Sequence, residues 1–290
     1  MGILFERGND ALNVHPPAGD QHLTTNGSNW LWALTAVFLL SFLAFFVLSL
    51  RPRHGERIFH YLFAIALLVG GITYFAQASD LAWRLTSQAN NAQYDLATRQ
   101  VFWAKYIFWV VAFPAIIIAL GLLSTASWAS IFYNVFLAWV WIICYLVSAF
   151  TTSNYKWGFF AFGTLAFLVL AFGTMTDGRM AATRSGVGRD FTMLSGWAVF
   201  LWLNYIIAFG ISDGGNKIGV TPMFIYFGIL DLLLVPVLAF ATLALSKKWD
   251  YSRLNLHFTQ YGRVRTGDAY PEKHHGTTAA PGAAAGRTVV

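Results

Sequence analysis

"ILDLLLVPVLAF", residues 229–240, sets one acid and one proline inside an apolar run. Asp231 is a group that costs free energy to bury, and Pro236 removes a helical hydrogen bond and kinks the chain. The apolar run extends on both sides, from Pro222 to Leu245. About 20 such residues cross a bilayer core of about 30 Å. An ionisable residue inside a membrane span is rare and marks a candidate site. The stretch therefore reads as a transmembrane helix that keeps a carboxylate for a reason.

The rest of the chain agrees. Of 290 residues, 57% are hydrophobic and only 11% charged, against about 25% charged in soluble domains. Apolar stretches at about Trp30–Leu50, Ile58–Ala78, Val101–Leu123, Trp128–Phe150, Trp157–Met175, Phe191–Ile211 and Pro222–Leu245 give seven spans. The expected fold is an all-α membrane protein, a seven-transmembrane-helix bundle. Residues 1–29 read as an N-terminal tail and 30–246 as the membrane domain. Residues 247–290 read as a largely disordered tail, polar and then small in "TTAAPGAAAG".

Orientation follows the bias of Lys and Arg near span ends. Arg51, Arg53, Arg57, Arg179, Arg184, Arg189, Lys247, Lys248 and Arg253 fall on one side, and only Arg84, Arg99, Lys156 and Lys217 on the other. The N-terminus is expected outside and the C-terminus in the cytoplasm. The net charge of +6 reflects this loop bias and does not imply nucleic-acid binding. Asn26-Gly27-Ser28 is a glycosylation sequon on the outer side, hard against the first span. The single cysteine, Cys144, excludes an intramolecular disulfide and is expected to be a buried thiol.

Two ionisable residues lie inside the spans. With the third span counted from Val101, Lys105 and Asp231 fall at similar depth in the outer half and could pair, directly or through water. One reading is a packing device, with nearby tyrosines; the other is a proton or ion relay. A relay needs titratable groups across the whole thickness, and the inner half of the third span, "FPAIIIALGLL", has none. Pro114 and Pro236 kink their helices. Asn134 and Asn204 read as interhelical glue.

Taken together, the spans resemble the microbial-type rhodopsins in their fungal branch, over about Gly8 to Leu245. "RQVFWAKYIFWVVAFPAIIIALGLL" looks like the family's third helix. Aligned on Pro114, Lys105 stands for an arginine, Phe108 for the counterion acid, Ala112 for a threonine and Ala119 for the proton-donor acid. Trp109 keeps the family tryptophan. "FLWLNYIIAFGISDGGN" looks like the sixth helix, with Trp202 and Tyr205 as ring-packing residues, Ile206 for a proline and Phe209 for a second tryptophan. Tyr74 matches the tyrosine that bonds the seventh-helix aspartate.

In that family the aspartate is followed four residues later by the retinal-binding lysine. Asp231 is kept, and Val235 stands in the lysine's place. Without an amine no Schiff base can form. The combination resembles the fungal opsin-related proteins, which include a yeast plasma-membrane heat-shock protein. The resemblance implies a stress-linked plasma-membrane protein that restrains the proton-pumping ATPase.

Three functions are open on this reading. The first is a non-photochemical, chaperone-like modulator with no cofactor, in which Lys105, Asp231, Tyr74 and Tyr205 form one buried network. The second is an ion or proton transporter or channel using Lys105 and Asp231. The third is a sensor holding retinal or another apolar ligand noncovalently among Trp109, Trp202, Tyr205 and Phe209. No catalytic or metal site is expected, and the chain is not expected to be an enzyme. A homo-oligomer is compatible with the fold, but no stretch specifies its interface.

Overall fold

The computed structural model describes residues 9–51, 57–89, 98–254 and 256. Seven helices in it are long and apolar enough to span a bilayer: Thr25–Leu48, Ile58–Ala78, Ala104–Leu123, Trp128–Phe150, Lys156–Arg184, Gly188–Gly214 and Val220–Ser246. They are called the first to seventh spans below. In lipid every backbone polar group must be satisfied within the chain, and a helix does this alone. The third and seventh spans are the most enclosed. The lipid-facing surface is apolar, with Leu40, Ile65, Phe136, Leu165 and Phe172 exposed.

Local chemistry sets the span ends. Thr24 Oγ1 accepts from Gly27 N at 3.3 Å and caps the first span. Ser127 Oγ accepts from Ser130 N at 3.2 Å and caps the fourth. Three spans carry one widened, π-type turn each, at Thr174–Gly178, Gly210–Gly214 and Leu233–Val237. The last contains Pro236, which cannot donate to the preceding turn. There the indole N–H of Trp197 donates to Leu233 O at 3.1 Å. The kink thus keeps the seventh helix running past Asp231 and Val235.

The end of the bundle where the second, fourth and sixth spans finish, called the outer end after the sequence expectation, carries a small cap. Strands Trp83–Ser87 and Thr98–Phe102 form an antiparallel hairpin between the second and third spans, with Trp83 opposite Phe102. The N-terminal segment joins it. Gln21 N donates to Thr98 O at 3.1 Å, and Gln100 N donates to Gln21 O at 2.9 Å.

Several boundaries and placements differ from the sequence reading. The first span starts at Thr25 rather than Trp30, and the fifth and sixth run on to Arg184 and Gly214. Within the stretch expected to be an outer tail, Leu23 is fully buried and Gln21 is nearly so. Of the expected disordered tail, Tyr251–Leu254 form a short 3-10 turn, and Trp249 packs on Phe59 with ring centres 5.5 Å apart. Residues 257–290 lie outside the described residues, as do 1–8. Cys144 is part-exposed rather than buried, because its position on the fourth span turns towards the lipid side. The sequon starts in the first turn of a helix, and its Ser28 hydroxyl is buried and donates to Ala78 O at 2.6 Å. That serine is committed inside the fold.

Candidate functional site: two buried aspartates and an aromatic wall

Asp231 is 3% exposed. It accepts from the hydroxyls of Tyr74 on the second span and Tyr205 on the sixth, and from Trp109 Nε1 on the third at 3.3 Å. Three spans are thereby tied to the seventh through one carboxylate. No cation among the described residues forms an ion pair with Asp231.

Lys105 does not join this group, and the expected Lys105–Asp231 pair does not form. Its amine bonds Asp213 instead, a residue at the outer end of the sixth span. The cause is depth. The third span begins at Ala104, so Lys105 is one residue in, whereas Asp231 is 11 residues into its own span. That is a difference of about 15 Å along the helix axes. A side chain on a helix also leans towards the helix N-terminus, and for Lys105 that direction is outward. Lys105 still touches the wall between the two sites: its amine lies 4.7 Å from the Phe227 ring centre and 5.6 Å from that of Trp109.

Asp213 is the centre of a second cluster that the sequence reading missed. Its carboxylate takes Arg99 Nε at 3.2 Å, the Lys105 amine, and the Tyr106 hydroxyl at 3.0 Å. Arg99 also donates to Gln21 Oε1 at 2.8 Å, Asn216 Oδ1 at 3.2 Å and Ile218 O at 2.7 Å. Lys156 donates to the Asp213 backbone carbonyl at 2.9 Å and to Gln88 Oε1 at 3.2 Å. Arg99, Lys156 and Asp213 are all fully buried. Burial pulls the Arg99 guanidinium below its ordinary pKa, and the adjacent Asp213 charge opposes that shift.

From sequence Arg99 and Lys156 stand only as charges beside the span ends. Asp213 stood in plain view within "ISDGGN", but nothing in that string shows that a widened turn carries it onto the helix end and into the interior. A third polar group lies beside the cap. Asp80 is buried and accepts from Gln100 Nε2 at 2.9 and 3.0 Å. Burial raises the Asp80 carboxyl above its usual pKa, against the hydrogen bond from Gln100 and the charges of His22 and His15.

Below Asp231 the middle of the bundle is aromatic. Phe113 sits among four larger rings, with centre distances of 6.0 Å to Trp109, 5.3 Å to Trp141, 5.6 Å to Trp202 and 5.3 Å to Tyr205. Phe108 fills the other side, 5.4 Å from Phe38 and 6.0 Å from Tyr74. Val235 is fully buried. Phe209 lies apart from this group, stacked on Tyr145 at 4.3 Å and near Phe160 at 5.9 Å. Of the two asparagines, Asn204 accepts from Tyr226 across the sixth and seventh spans at 3.5 Å.

A seven-helix bundle whose last span carries a buried aspartate held by two tyrosines and a tryptophan belongs to the rhodopsin-like class of membrane proteins. The chain is a member of the bacteriorhodopsin-like protein family, whose match covers residues 25–245. It is similar to the opsin-like protein carO of Fusarium fujikuroi, 35% identical over 263 residues, covering 87% of this chain and 86% of that one. It is similar as well to the 30 kDa heat shock protein of Saccharomyces cerevisiae, 29% identical over 277 residues, with 87% and 82% covered. Among solved structures it resembles the light-driven proton pump LR (Mac) from Leptosphaeria maculans. The TM-score there is 0.75 at 26% identity, with 81% of this chain and 99% of that one covered.

Proposed function

We propose that this opsin-related membrane protein is not photochemical and not an enzyme, and that it works through other membrane proteins as a stress-associated, chaperone-like modulator. The observation that carries the reading is the filled middle of the bundle. Retinal bound as a Schiff base needs an amine on the seventh span and a slot between aromatic walls. Val235 has no amine, and Phe113 occupies the space bounded by Trp109, Trp141, Trp202 and Tyr205. These residues do not fit the group.

A relay through Lys105 and Asp231 lacks support for a separate reason: the lysine is engaged by Asp213. The relative named as a heat shock protein motivates the stress assignment. The partner class we favour is a plasma-membrane cation pump, the proton ATPase, with the N-terminus outside and the C-terminus in the cytoplasm.

The test is a visible absorption spectrum of the purified protein after addition of all-trans retinal. Neither the unmodified protein nor Val235→Lys should give a retinal–protein band, whereas Val235→Lys combined with Phe113→Ala should begin to. A band in the unmodified protein overturns the proposal. The partner half is checked by co-reconstitution: proton ATPase turnover should fall when this chain shares the vesicle, and an unchanged rate rejects that partner.

A further inference from the structure

A groove of about 590 Å³ lies at the end of the bundle opposite the hairpin cap, where the first and seventh spans finish and the second begins. It has two halves. Leu48, Phe240 and Ala244 line the half nearer the middle of the membrane. The Phe240 ring packs edge-on against Phe45, with ring centres 5.0 Å apart. Phe240 and Ala244 are exposed on the lipid-facing side, so this half opens sideways to the bilayer. Arg51 and Lys247 line the other half, and both are exposed. The helix runs without a break from Phe240 to its cap at Lys247, about 10 Å along the axis. That is enough to cross the polar layer of about 5–8 Å that flanks the hydrocarbon core.

The walls of the groove are fixed by the fold. His60 is buried on the second span, its ring 6.3 Å from that of Phe45. The chain beyond the seventh span turns back over the second. Trp249 and Tyr251 pack on Phe59, with ring centres 5.5 and 6.5 Å away, and Trp249 Nε1 donates to Asp190 Oδ2 at 2.8 Å. Both rings also line the groove, at the headgroup level that Trp and Tyr favour.

The charge of the groove is one-sided. Among the described residues no carboxylate lies within ion-pair distance of Arg51 or Lys247, and no acidic side chain is among those that line it. Asp250, next to Trp249, is taken by Arg253 at 3.3 Å. A headgroup carrying its own cation would find no anion here, whereas a net negative one meets two cations. A free phosphate ion would use the cationic half alone and leave the apolar half to other molecules.

We propose that this groove binds a phospholipid with a net negative headgroup. The phosphate meets Arg51 and Lys247, and one acyl chain lies along Ala244 and Phe240 into the bilayer. This binding does not depend on the partner assigned above.

The test uses phosphatidylglycerol carrying a diazirine near the top of one acyl chain. It is added in trace amount to the full chain in phosphatidylcholine vesicles, irradiated, and mapped by peptide mass spectrometry. Adducts should concentrate around Leu48, Phe240 and Ala244. Arg51→Gln and Lys247→Gln should each cut that labelling about fivefold, the effect of one basic residue beside an anionic lipid, while the melting temperature holds. Ala244→Trp, which fills the apolar half and leaves both charges, should cut it about tenfold. The control is Arg179→Gln with Arg184→Gln, two exposed cations at the same end of the bundle that do not line the groove; it should leave the labelling unchanged.

Equal labelling by the matching phosphatidylcholine probe, or an equal loss in the Arg179 and Arg184 control, overturns the site, because surface charge in general would then explain the capture. Labelling unchanged by Ala244→Trp overturns the seat of the chain. Suppression by excess inorganic phosphate, beyond that by chloride at matched ionic strength, makes a soluble anion the ligand and overturns the lipid.

Discussion

Asp213 and Asp231 are buried to the same degree on consecutive spans, yet the chain satisfies them in opposite ways. Asp213, at the outer rim, is held by two cations and a hydroxyl, with a third cation on its backbone carbonyl. Asp231, deeper in, is held by neutral donors alone. The difference teaches where this scaffold keeps charge. Among the described residues the buried ion pairs gather at Asp213, beneath the hairpin cap, where long side chains converge from a strand, a loop and three spans; the pair Arg253–Asp250 at the other end is exposed. Around Asp231 the described middle of the bundle is dominated by neutral rings. A path for ions would need the second kind of site to look like the first.

The largest expected effect comes from Asp213→Asn. It leaves Arg99 and Lys105 buried together without their anion, and breaking a buried pair in this way costs about 3–5 kcal/mol. The melting temperature in detergent should fall sharply. Adding Lys105→Met should recover part of the loss, because one stranded cation is then removed. If Asp213→Asn melts like the parent, the outer cluster is not what closes that end of the bundle.

Asp231→Asn should cost less, about 1–3 kcal/mol, from hydrogen bonds. The amide would present an NH₂ to a pocket of donors, so at least one of Tyr74, Tyr205 and Trp109 loses its acceptor. No cation is stranded, and Lys105→Met should not rescue this variant. Rescue there would join the two sites into the single network expected from sequence. An unchanged melting temperature would remove Asp231 as a tie between the second, third, sixth and seventh spans.

What could be read from sequence follows from what each signal depends on. The seven spans were legible because apolar length alone decides membrane crossing. Family resemblance places Tyr74 on the seventh-helix aspartate and the expected buried network adds Tyr205, and the geometry has both hydroxyls on that carboxylate. The partner of Lys105 was not legible. Choosing between Asp231 and Asp213 needed the third helix to start at Ala104 and the sixth to run on to Gly214, and helix ends are the weakest part of any pattern reading. The burial of Arg99 and Lys156 was not legible, because a charge beside a span looks like an exposed loop charge unless the cap above it is known. Phe113 carried no signal either: one more phenylalanine in a chain with 26 becomes informative only when four rings are found around it.

The smallest effect tests the same contrast outside the membrane. Asp80 resembles Asp231 in kind, being buried with a neutral donor and, among the described residues, no ion pair. Its carboxyl is raised in the folded state, chiefly by burial. A folded pKa above the unfolded one means the native state holds the proton more tightly. The favourable contribution of Asp80 is therefore complete below the unfolded value of about 3.9 and is lost as pH rises through the raised folded value. At neutral pH the buried carboxylate is a mild burden, and Asp80→Asn, whose oxygen still accepts from Gln100, should raise the melting temperature slightly. The gain should disappear as the pH is brought below 4. A loss of stability at pH 7 would mean that the attraction of His15 and His22 outweighs burial, and Asp80 would then belong with Asp213 among the charges this fold uses.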